Sequence, residues 1–201
     1  QDAAGVTVHA LDGRRFRAGF AVLALPLPAL RRLAVDPPLP AGQARAVQVL
    51  PYGNTTQVFL AVRGTPYWEQ DGLEPSLWSD GPVTLYRQFT LDGTHYVTAL
   101  ATGRKADRLD QLPPAERGRF VAADLARLRP STRGKLAVLG AHSWARSAFI
   151  AGCRHSFGPG DVSRYAALLR QPHGRLHFAG EHTRLAEIGM EAALESGERA
   201  A

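Results

Sequence analysis

The stretch that decides the fold is Arg175-Leu-His-Phe-Ala-Gly-Glu-His182, followed after a short loop by Gly189-Met-Glu-Ala-Ala-Leu-Glu-Ser-Gly-Glu-Arg-Ala200. Residues 175–178 are a compact run that predicts a strand, and a glycine and a carboxylate follow at its end. The second segment predicts a helix that begins near Gly189, with an acidic residue in the first turn, where the helix dipole favours it. Together they predict a strand, a glycine turn and a helix N-terminus.

Such an arrangement lets backbone N–H groups approach a phosphate or an electron-rich ring. At the strand end, Gly180 and Glu181 would offer a close backbone approach and a carboxylate for a ribose or ribityl hydroxyl. At the helix start, Gly189, Met190 and Glu191 would offer bare N–H groups. An ordinary strand, loop and capped helix also accounts for the pattern, so the residues alone leave both interpretations open.

Upstream, short strands and helices alternate, which predicts an α/β protein. Phe20 to Leu25 is an almost unbroken apolar run, typical of a strand buried on both faces of a sheet. Asp12-Gly13 predicts a two-residue turn that joins strands at 5–11 and 15–17. In 54–63, alternation places Gln57 on the face opposite to Val58. Further strands are predicted at 83–89, 95–101 and 136–144, and helices at 42–49, 114–128 and 162–169.

Composition predicts a globular protein with a packed core, because 45% of the 201 residues are hydrophobic and 21% are charged. The net charge is +6, but the arginines are spread along the whole chain, so we expect no nucleic-acid partner. The longest apolar stretch, 20–30, contains two prolines and is too short to span a membrane, so we expect no membrane partner either. The single Cys153 excludes an internal disulfide, and a cytoplasmic location is the default expectation. The histidines lack metal-site spacing, and no serine lies in a nucleophile-elbow pattern, so we expect no metal and no hydrolase chemistry.

Phe178-Ala-Gly-Glu-His-Thr183 and the segment from Gly189 to Ala200 closely resemble the C-terminal signature of the flavin-containing amine oxidases. This family includes monoamine, polyamine and L-amino-acid oxidases. The resemblance covers essentially the whole chain, and the terminal motif is its most specific part. Further stretches resemble the family in the same order along the chain: Asp12-Gly13 with Val22-Leu-Ala-Leu-Pro26, Leu50-Pro-Tyr-Gly53, Pro66-Tyr-Trp68 and Gly152-Cys-Arg-His-Ser-Phe-Gly-Pro-Gly160.

The resemblance implies a flavoprotein in which a mixed-sheet substrate domain interrupts a discontinuous, Rossmann-like domain that binds FAD. Residues 1–26 would be the returning hairpin and strand of the FAD-binding domain, 27–148 part of the substrate domain, and 149–201 the C-terminal part of the FAD-binding domain. The family's G-x-G-x-x-G turn for the pyrophosphate is not found, since Gly158-Pro-Gly160 is too short and follows no strand. We therefore expect a fragment or subunit whose missing N-terminal FAD-binding half comes from the same protein or from a second polypeptide.

Two polar residues stand at positions that the resemblance makes informative. Cys153 matches the cysteine that carries covalent FAD in monoamine oxidases, which leaves open a covalent link or a small buried thiol. Gln57 stands where many members have a lysine that holds a water near the flavin. A glutamine still holds a water by hydrogen bonding but contributes no positive charge, and it is also an ordinary polar strand residue.

The resemblance also places three residues near the substrate. Arg154 and Gly189 stand where monoamine oxidases have two tyrosines that flank the amine. An arginine there repels a protonated amine and pairs with a carboxylate, which favours amino acids or another anionic substrate unless the side chain is merely exposed. Trp144 matches a tryptophan that packs near the flavin, and it is equally explained as a core aromatic.

By resemblance, the expected activity is oxidation of an amine or amino acid by hydride transfer to FAD, with hydrolysis of the imine and release of hydrogen peroxide. Two alternatives stay open. One is a related flavin enzyme, such as a desaturase or a porphyrinogen oxidase. The other is a non-catalytic partner or scaffold, which the unfound pyrophosphate turn, the glutamine at 57 and the lost tyrosines favour.

Overall fold

A computed structural model describes all residues from Gln1 to Ala201, which form two compact units. Unit 1 combines two separate stretches, 1–52 and 154–201, and unit 2 is the continuous stretch between them, 53–153. The expected domain boundaries after residues 26 and 148 concern functional domains of the family and stay a prediction.

The secondary structure consists of eleven strands and seven helices, together with three short 3₁₀ turns. In chain order the strands are β1 Val6–His9, β2 Arg15–Ala18, β3 Ala21–Leu23, β4 Tyr52–Gly53, β5 Thr55–Val62, β6 Leu77–Trp78, β7 Leu85–Leu91, β8 Thr94–Thr102, β9 Leu136–Ser143, β10 Arg154–His155 and β11 Leu176–Phe178. The helices are α1 Leu27–Leu30, α2 Ala41–Val49, α3 Tyr67–Asp71, α4 Arg104–Asp110, α5 Pro114–Leu128, α6 Asp161–Leu169 and α7 Gly189–Ala200. The 3₁₀ turns are Pro130–Thr132, Trp144–Arg146 and Glu181–Thr183.

Unit 1 opens with the expected hairpin, in which β1 and β2 pair antiparallel. Its loop has three residues rather than two, because the Ala10 N–H donates to the Arg14 carbonyl and the Gly13 N–H donates to the Ala10 carbonyl. Gly13 has a φ of 87°, a left-handed conformation that glycine adopts without steric cost. The turn residues were therefore predicted correctly and the loop length was not.

The strand expected at Phe20 to Leu25 is shorter and more exposed than the sequence predicts. β3 pairs in parallel with β11 and with no other strand, and Val22 is 50% exposed. The prediction of burial on both faces is wrong for this chain, because nothing in unit 1 covers the outer face of β3. The core of unit 1 lies on the other side, among helices α1, α2 and α6 and the ends of β11. It includes Leu27, Leu50, Tyr165, Leu176 and Phe178.

Unit 2 is built on a five-stranded sheet with the order β6-β7-β8-β5-β9. All strand pairs in this sheet are antiparallel, whereas the resemblance implies a mixed sheet for the substrate domain. The alternation in β5 is as predicted: one face is buried in the core, while Gln57 lies on the other face. The residues on the buried face of β5 are Thr56, Val58, Leu60 and Val62.

Helix α5 covers the buried face of this sheet and coincides with the predicted segment 114–128. Pro114 stands at its first turn, where a missing N–H costs nothing, and Val121 and Leu125 are fully buried against the strands. Gly118 allows the helix to lie close to β9, since a Cβ there would lie 2.3 Å from Cγ1 of Val138. None of the helices is long and apolar enough to cross a membrane.

Two short helices, α3 and α4, were not predicted from the sequence. Both are held at their ends by arginines of other elements. Asp71 at the end of α3 pairs with Arg129, 58 residues further along the chain, and the carbonyl of Asp110 at the end of α4 accepts from Arg117 of α5, seven residues further along. Helices of five and seven residues are too short to be stable by themselves. Their stability comes from these tertiary contacts, which the local sequence does not indicate.

Candidate functional site

In unit 2, the structure brings two of the predicted residues into direct contact. Gln57 lies on β5, and Trp144 begins the 3₁₀ turn that directly follows β9. The indole Nε1–H of Trp144 donates a hydrogen bond to Oε1 of Gln57, at 2.8 Å. His142, the cross-strand partner of Gln57, packs edge-on against the indole with 4.5 Å between ring centroids. These contacts hold the amide and the indole in one defined arrangement.

The hydrogen bond decides which group Gln57 has available for another molecule. Because its carbonyl oxygen accepts from Trp144, the amide NH₂ is the group left to donate to a water or ligand. Gln57 can therefore replace a lysine as a hydrogen-bond donor, but not as a positive charge. Both residues are predicted site residues, but the sequence does not predict the contact between them.

Cys153 is the last residue of unit 2, and its backbone N–H donates to the carbonyl of Gly53 at 2.8 Å. Its side chain lies at an exposed position. The preceding Ala151 has a φ of 51°, which is uncommon for a residue with a side chain and indicates a tightly constrained loop. An exposed cysteine on a constrained loop can accommodate a covalent flavin link, which stays a prediction.

In unit 1, Glu181 follows β11 as expected and is held on both carboxylate oxygens. Nδ1 of His155 lies 3.2 Å from Oε2, and Nη1 of Arg184 pairs with Oε1. Burial by itself would raise the pKa of Glu181, but the hydrogen bond and charge of His155 and the charge of Arg184 outweigh it, so the pKa is lowered. Glu181 is therefore an ionised acceptor, fixed in orientation and still partly accessible.

One buried histidine, His155, supports this carboxylate, and a second, His182, directly follows Glu181 in the chain; the sequence predicts a role for neither. His155 and His182 are almost fully buried, and the Nε2 atom of each has no hydrogen-bond partner. Burial lowers the pKa of His182 to about 4, an effect that His155 increases and Glu181 opposes. His182 is thus neutral at physiological pH. Its neighbour His155 lies 26 residues before Glu181, so nothing in the local pattern indicates their contact.

Gly180 fixes the end of β11 against helix α7. Its N–H donates to Oγ of Ser196 at 2.7 Å, and its φ of 124° favours glycine. A Cβ at this position would also lie 3.0 Å from two ring atoms of His182. Glycine is therefore required both by the backbone and by the buried imidazole.

The start of α7 matches the expectation of bare N–H groups. Gly189 has a φ of 67°, the helix has no side-chain cap, and a Cβ at Gly189 would meet nothing within 4 Å. Met190 is 82% exposed and Glu191 is exposed as well. The N-terminus of a 12-residue helix is thus open to a ligand from outside this chain.

Arg154 lies in the two-residue strand β10 and is exposed. Its role towards a substrate carboxylate stays a prediction, as do the roles of the other site residues. No group of three or more His, Cys, Asp or Glu side chains is arranged to hold a metal ion.

The residues of unit 1 fit part of an FAD molecule. An ionised carboxylate at the strand end suits ribityl or ribose hydroxyls, and the open helix N-terminus suits an electron-rich ring. The structure contains no strand followed by a G-x-G-x-x-G turn, the usual site for the pyrophosphate.

Comparison with known proteins gives consistent matches along the entire chain. Residues 1–201 match the family described as flavin containing amine oxidoreductase. The chain is 29% identical to the probable flavin-containing monoamine oxidase A of Dictyostelium discoideum, over 99% of this chain and 44% of that protein. It is 27% identical to the flavin-containing amine oxidase A of Bos taurus, over 100% of this chain and 40% of that protein.

The solved structures give the same result. A triple mutant of putrescine oxidase superposes on the chain with a TM-score of 0.84 at 28% identity, over 99% of this chain and 45% of that one. The chain therefore spans less than half the length of the relatives that it matches.

Proposed function

Because this chain belongs to the flavin-containing amine oxidoreductase family, we propose that it is part of an FAD-dependent enzyme that oxidises an amine. The observation that carries the proposal is the family match over all 201 residues. The relatives compared above are themselves amine oxidases by name. Gly180 and Glu181, the glycine and carboxylate at the end of β11, support FAD as the cofactor.

In the proposed reaction, the carbon bearing the amine loses a hydride and the nitrogen loses a proton, which gives an imine that water hydrolyses. FAD, when bound, supplies the hydride acceptor and passes the electrons to oxygen, which is released as hydrogen peroxide. The contribution of this chain is to hold the cofactor and to place hydrogen-bond donors.

Unit 1 would hold FAD through Glu181 and the N–H groups at Gly189–Glu191. Cys153 would offer a thiol for a covalent link. A segment outside this chain, in the same protein or in a partner polypeptide, would supply the pyrophosphate site. The partial coverage of the relatives supports this division.

Unit 2 would act on the amine through Gln57 and Trp144. The indole donates to the Gln57 carbonyl, so the amide NH₂ would be the group that donates to a water. A donor without charge orients that water and does not repel a protonated amine as a lysine would. The two residues therefore position water, while the electron transfer belongs to the cofactor.

The substrate class can be tested at Arg154. If this arginine pairs with a substrate carboxylate, Arg154→Tyr lowers kcat/KM for an amino acid about 10- to 100-fold and spares a simple aralkyl amine. Arg15→Tyr, which replaces an exposed arginine of β2, is the matched control. An unchanged ratio of the two specificities would assign the enzyme to plain amines and leave Arg154 a surface residue.

The central experiment measures flavin reduction in a purified protein that contains this chain and the segment, from the same or a second polypeptide, that would supply the pyrophosphate site. We expect a yellow protein whose flavin absorbance bleaches when an amine is added without oxygen, and which releases peroxide when oxygen returns. A colourless protein, or a flavin that no amine reduces, would instead support a non-catalytic scaffold.

A further inference from the structure

A buried carboxylate lies behind β5, which carries Gln57, and the end of β9, which Trp144 directly follows. Asp110 ends helix α4 on the core face of the sheet. Thr56 Oγ1 donates to its Oδ1 at 2.7 Å, and Ser143 Oγ donates to its Oδ2 at 2.5 Å. One carboxylate therefore bonds to both β5 and β9.

The two hydroxyl residues each directly precede one member of the Gln57–Trp144 pair. Thr56 and Ser143 are direct cross-strand partners in the register of β5 and β9. Thr56 immediately precedes Gln57, and Ser143 immediately precedes Trp144. Since successive strand residues point to opposite faces, fixing Thr56 from one side fixes the position of Gln57 on the other.

A further contact reaches the 3₁₀ turn that contains Trp144. Nη2 of Arg146 donates to the backbone carbonyl of Asp110 at 2.6 Å. The end of α4 thus holds the indole-bearing segment both before and after Trp144.

The carboxylate is held in its ionised form despite its burial. Burial would raise the pKa of Asp110, but hydrogen bonds from Ser143, Thr56 and Asn54 and the charge of Arg117 lower it overall. The guanidinium of Arg117 is itself buried, 3.8 Å from Oδ1. A charged acceptor binds hydroxyl donors more strongly and more directionally than a neutral one.

We propose that Asp110 is a positioning residue for the Gln57–Trp144 pair, acting through Thr56, Ser143 and Arg146 from the opposite face of the sheet. The expected effect of Asp110 on the reaction rests on the proposed function. Its expected effect on the placement of Gln57 and Trp144 rests only on the contacts described above.

The alternative is that Asp110 only stabilises unit 2. Asp124 is a matched control for this, because it is another buried carboxylate in the same core. It accepts from the hydroxyl of Tyr86 at 2.7 Å and from Arg127 at 2.7 Å, and it bonds to neither β5 nor β9. Loss of Asp124 should lower stability without moving Trp144.

The first arm of the test observes Trp144 directly by ¹⁹F NMR of protein labelled with 5-fluorotryptophan. The Trp144 resonance is the one that Trp144→Phe removes. We expect Asp110→Asn to shift and broaden that resonance, and to leave those of Trp68 and Trp78 in place.

Ser143→Ala, a milder change that removes one contact, should shift the Trp144 resonance in the same direction. Asp124→Asn should leave it unchanged. A Trp144 resonance that neither Asp110→Asn nor Ser143→Ala moves would overturn the proposal.

The second arm measures amine oxidation by the flavin-loaded protein. We expect Asp110→Asn to lower kcat roughly 10- to 100-fold with little change in KM, since misplacement of a positioning group affects the chemical step. An unchanged kcat beside a displaced Trp144 would contradict the role in the reaction. A displaced Trp144 in a protein whose parent oxidises no amine would support the positioning contacts and remove the proposed function.

Discussion

The Glu181 carboxylate is ordered and ionised before any ligand donates a hydrogen bond to it. A free glutamate side chain samples many rotamers, and ordering it on a ligand costs about 1–2 kcal/mol. Here His155 and Arg184 already hold the two oxygens, and the lowered pKa keeps the group ionised. The entropy cost is therefore met during folding rather than during cofactor binding.

We expect Glu181→Ala to weaken FAD binding about 10- to 100-fold, the loss of one charge-assisted hydrogen bond of roughly 1.5–3 kcal/mol. The measurement is FAD affinity of the complete protein, by quenching of flavin fluorescence. Glu195→Ala is the control, because the Glu195 carboxylate pairs with Arg199 within α7 and does not directly follow β11 in the chain. Equal affinities in the two variants would remove Glu181 from the cofactor site.

At the scale of elements, the docking of α3 depends on one ion pair. Arg129 is buried, and its guanidinium bonds to both oxygens of Asp71 and stacks over the ring of Tyr67 at 4.7 Å. The hydrogen bond from Arg129 lowers the pKa of Asp71 to about 2, although burial opposes it. An uncompensated guanidinium would remain if Asp71 were neutral.

Asp71→Asn should therefore lower the free energy of unfolding by about 2–3 kcal/mol at pH 7. Because the folded-state pKa is below the ordinary value, this stabilisation is present above about pH 4 and is lost as the pH falls through about 2. Urea unfolding of both proteins across this range tests the prediction. Asp12→Asn, which removes an exposed pair with Arg14, should change stability by no more than about 0.5 kcal/mol. If the difference in free energy of unfolding between Asp71→Asn and the parent did not become smaller towards pH 2, the ionised Asp71 would not be the source of this stabilisation.

The contact between α5 and β9 depends on the absence of a side chain. Gly118→Ala would place a methyl group 2.3 Å from Val138, so we expect a loss of about 1–3 kcal/mol from overpacking, despite the better helix propensity of alanine. In Gly197→Ala, on the exposed side of α7, the new methyl meets nothing within 4 Å, and we expect a gain of about 0.5–1 kcal/mol. Thermal unfolding of both variants measures the two effects. A neutral Gly118→Ala would mean that α5 can shift on the sheet.

Which elements the sequence predicts depends on where their stability originates. β5 and α5 carry their own patterns, an eight-residue alternation and a fifteen-residue apolar spacing with proline at the start, so both were predicted. Helices α3 and α4 are too short to carry such a pattern, and the arginines that bind their ends, Arg129 and Arg117, lie outside the helices themselves.

The site follows the same rule. The motif in 178–191 located Glu181 and the start of α7, and family resemblance located Gln57 and Trp144. Their long-range partners were not predictable, because His155 and Asp110 reach these residues only in the folded chain. The family itself is confirmed over the whole chain.

At the scale of the whole molecule, we expect the 201-residue chain to bind little FAD when purified alone. No strand and G-x-G-x-x-G turn are present to cradle the pyrophosphate, and the chain spans less than half the length of its relatives. Absorbance in the flavin bands after gel filtration with excess FAD measures this. Stoichiometric flavin in that sample would show that the residues of this chain suffice.

The hydrogen bond between Cys153 and Gly53 has a consequence for protein engineering. It makes the first and last residues of unit 2 neighbours, so this unit is a cassette whose two ends meet. When unit 2 is inserted into another family member, its two ends already lie side by side. The loss of chain entropy on joining it to the surrounding protein is therefore small. Chimaeras that exchange residues 53–153 between family members should therefore tolerate cassettes of different lengths, provided that the two junctions keep this spacing.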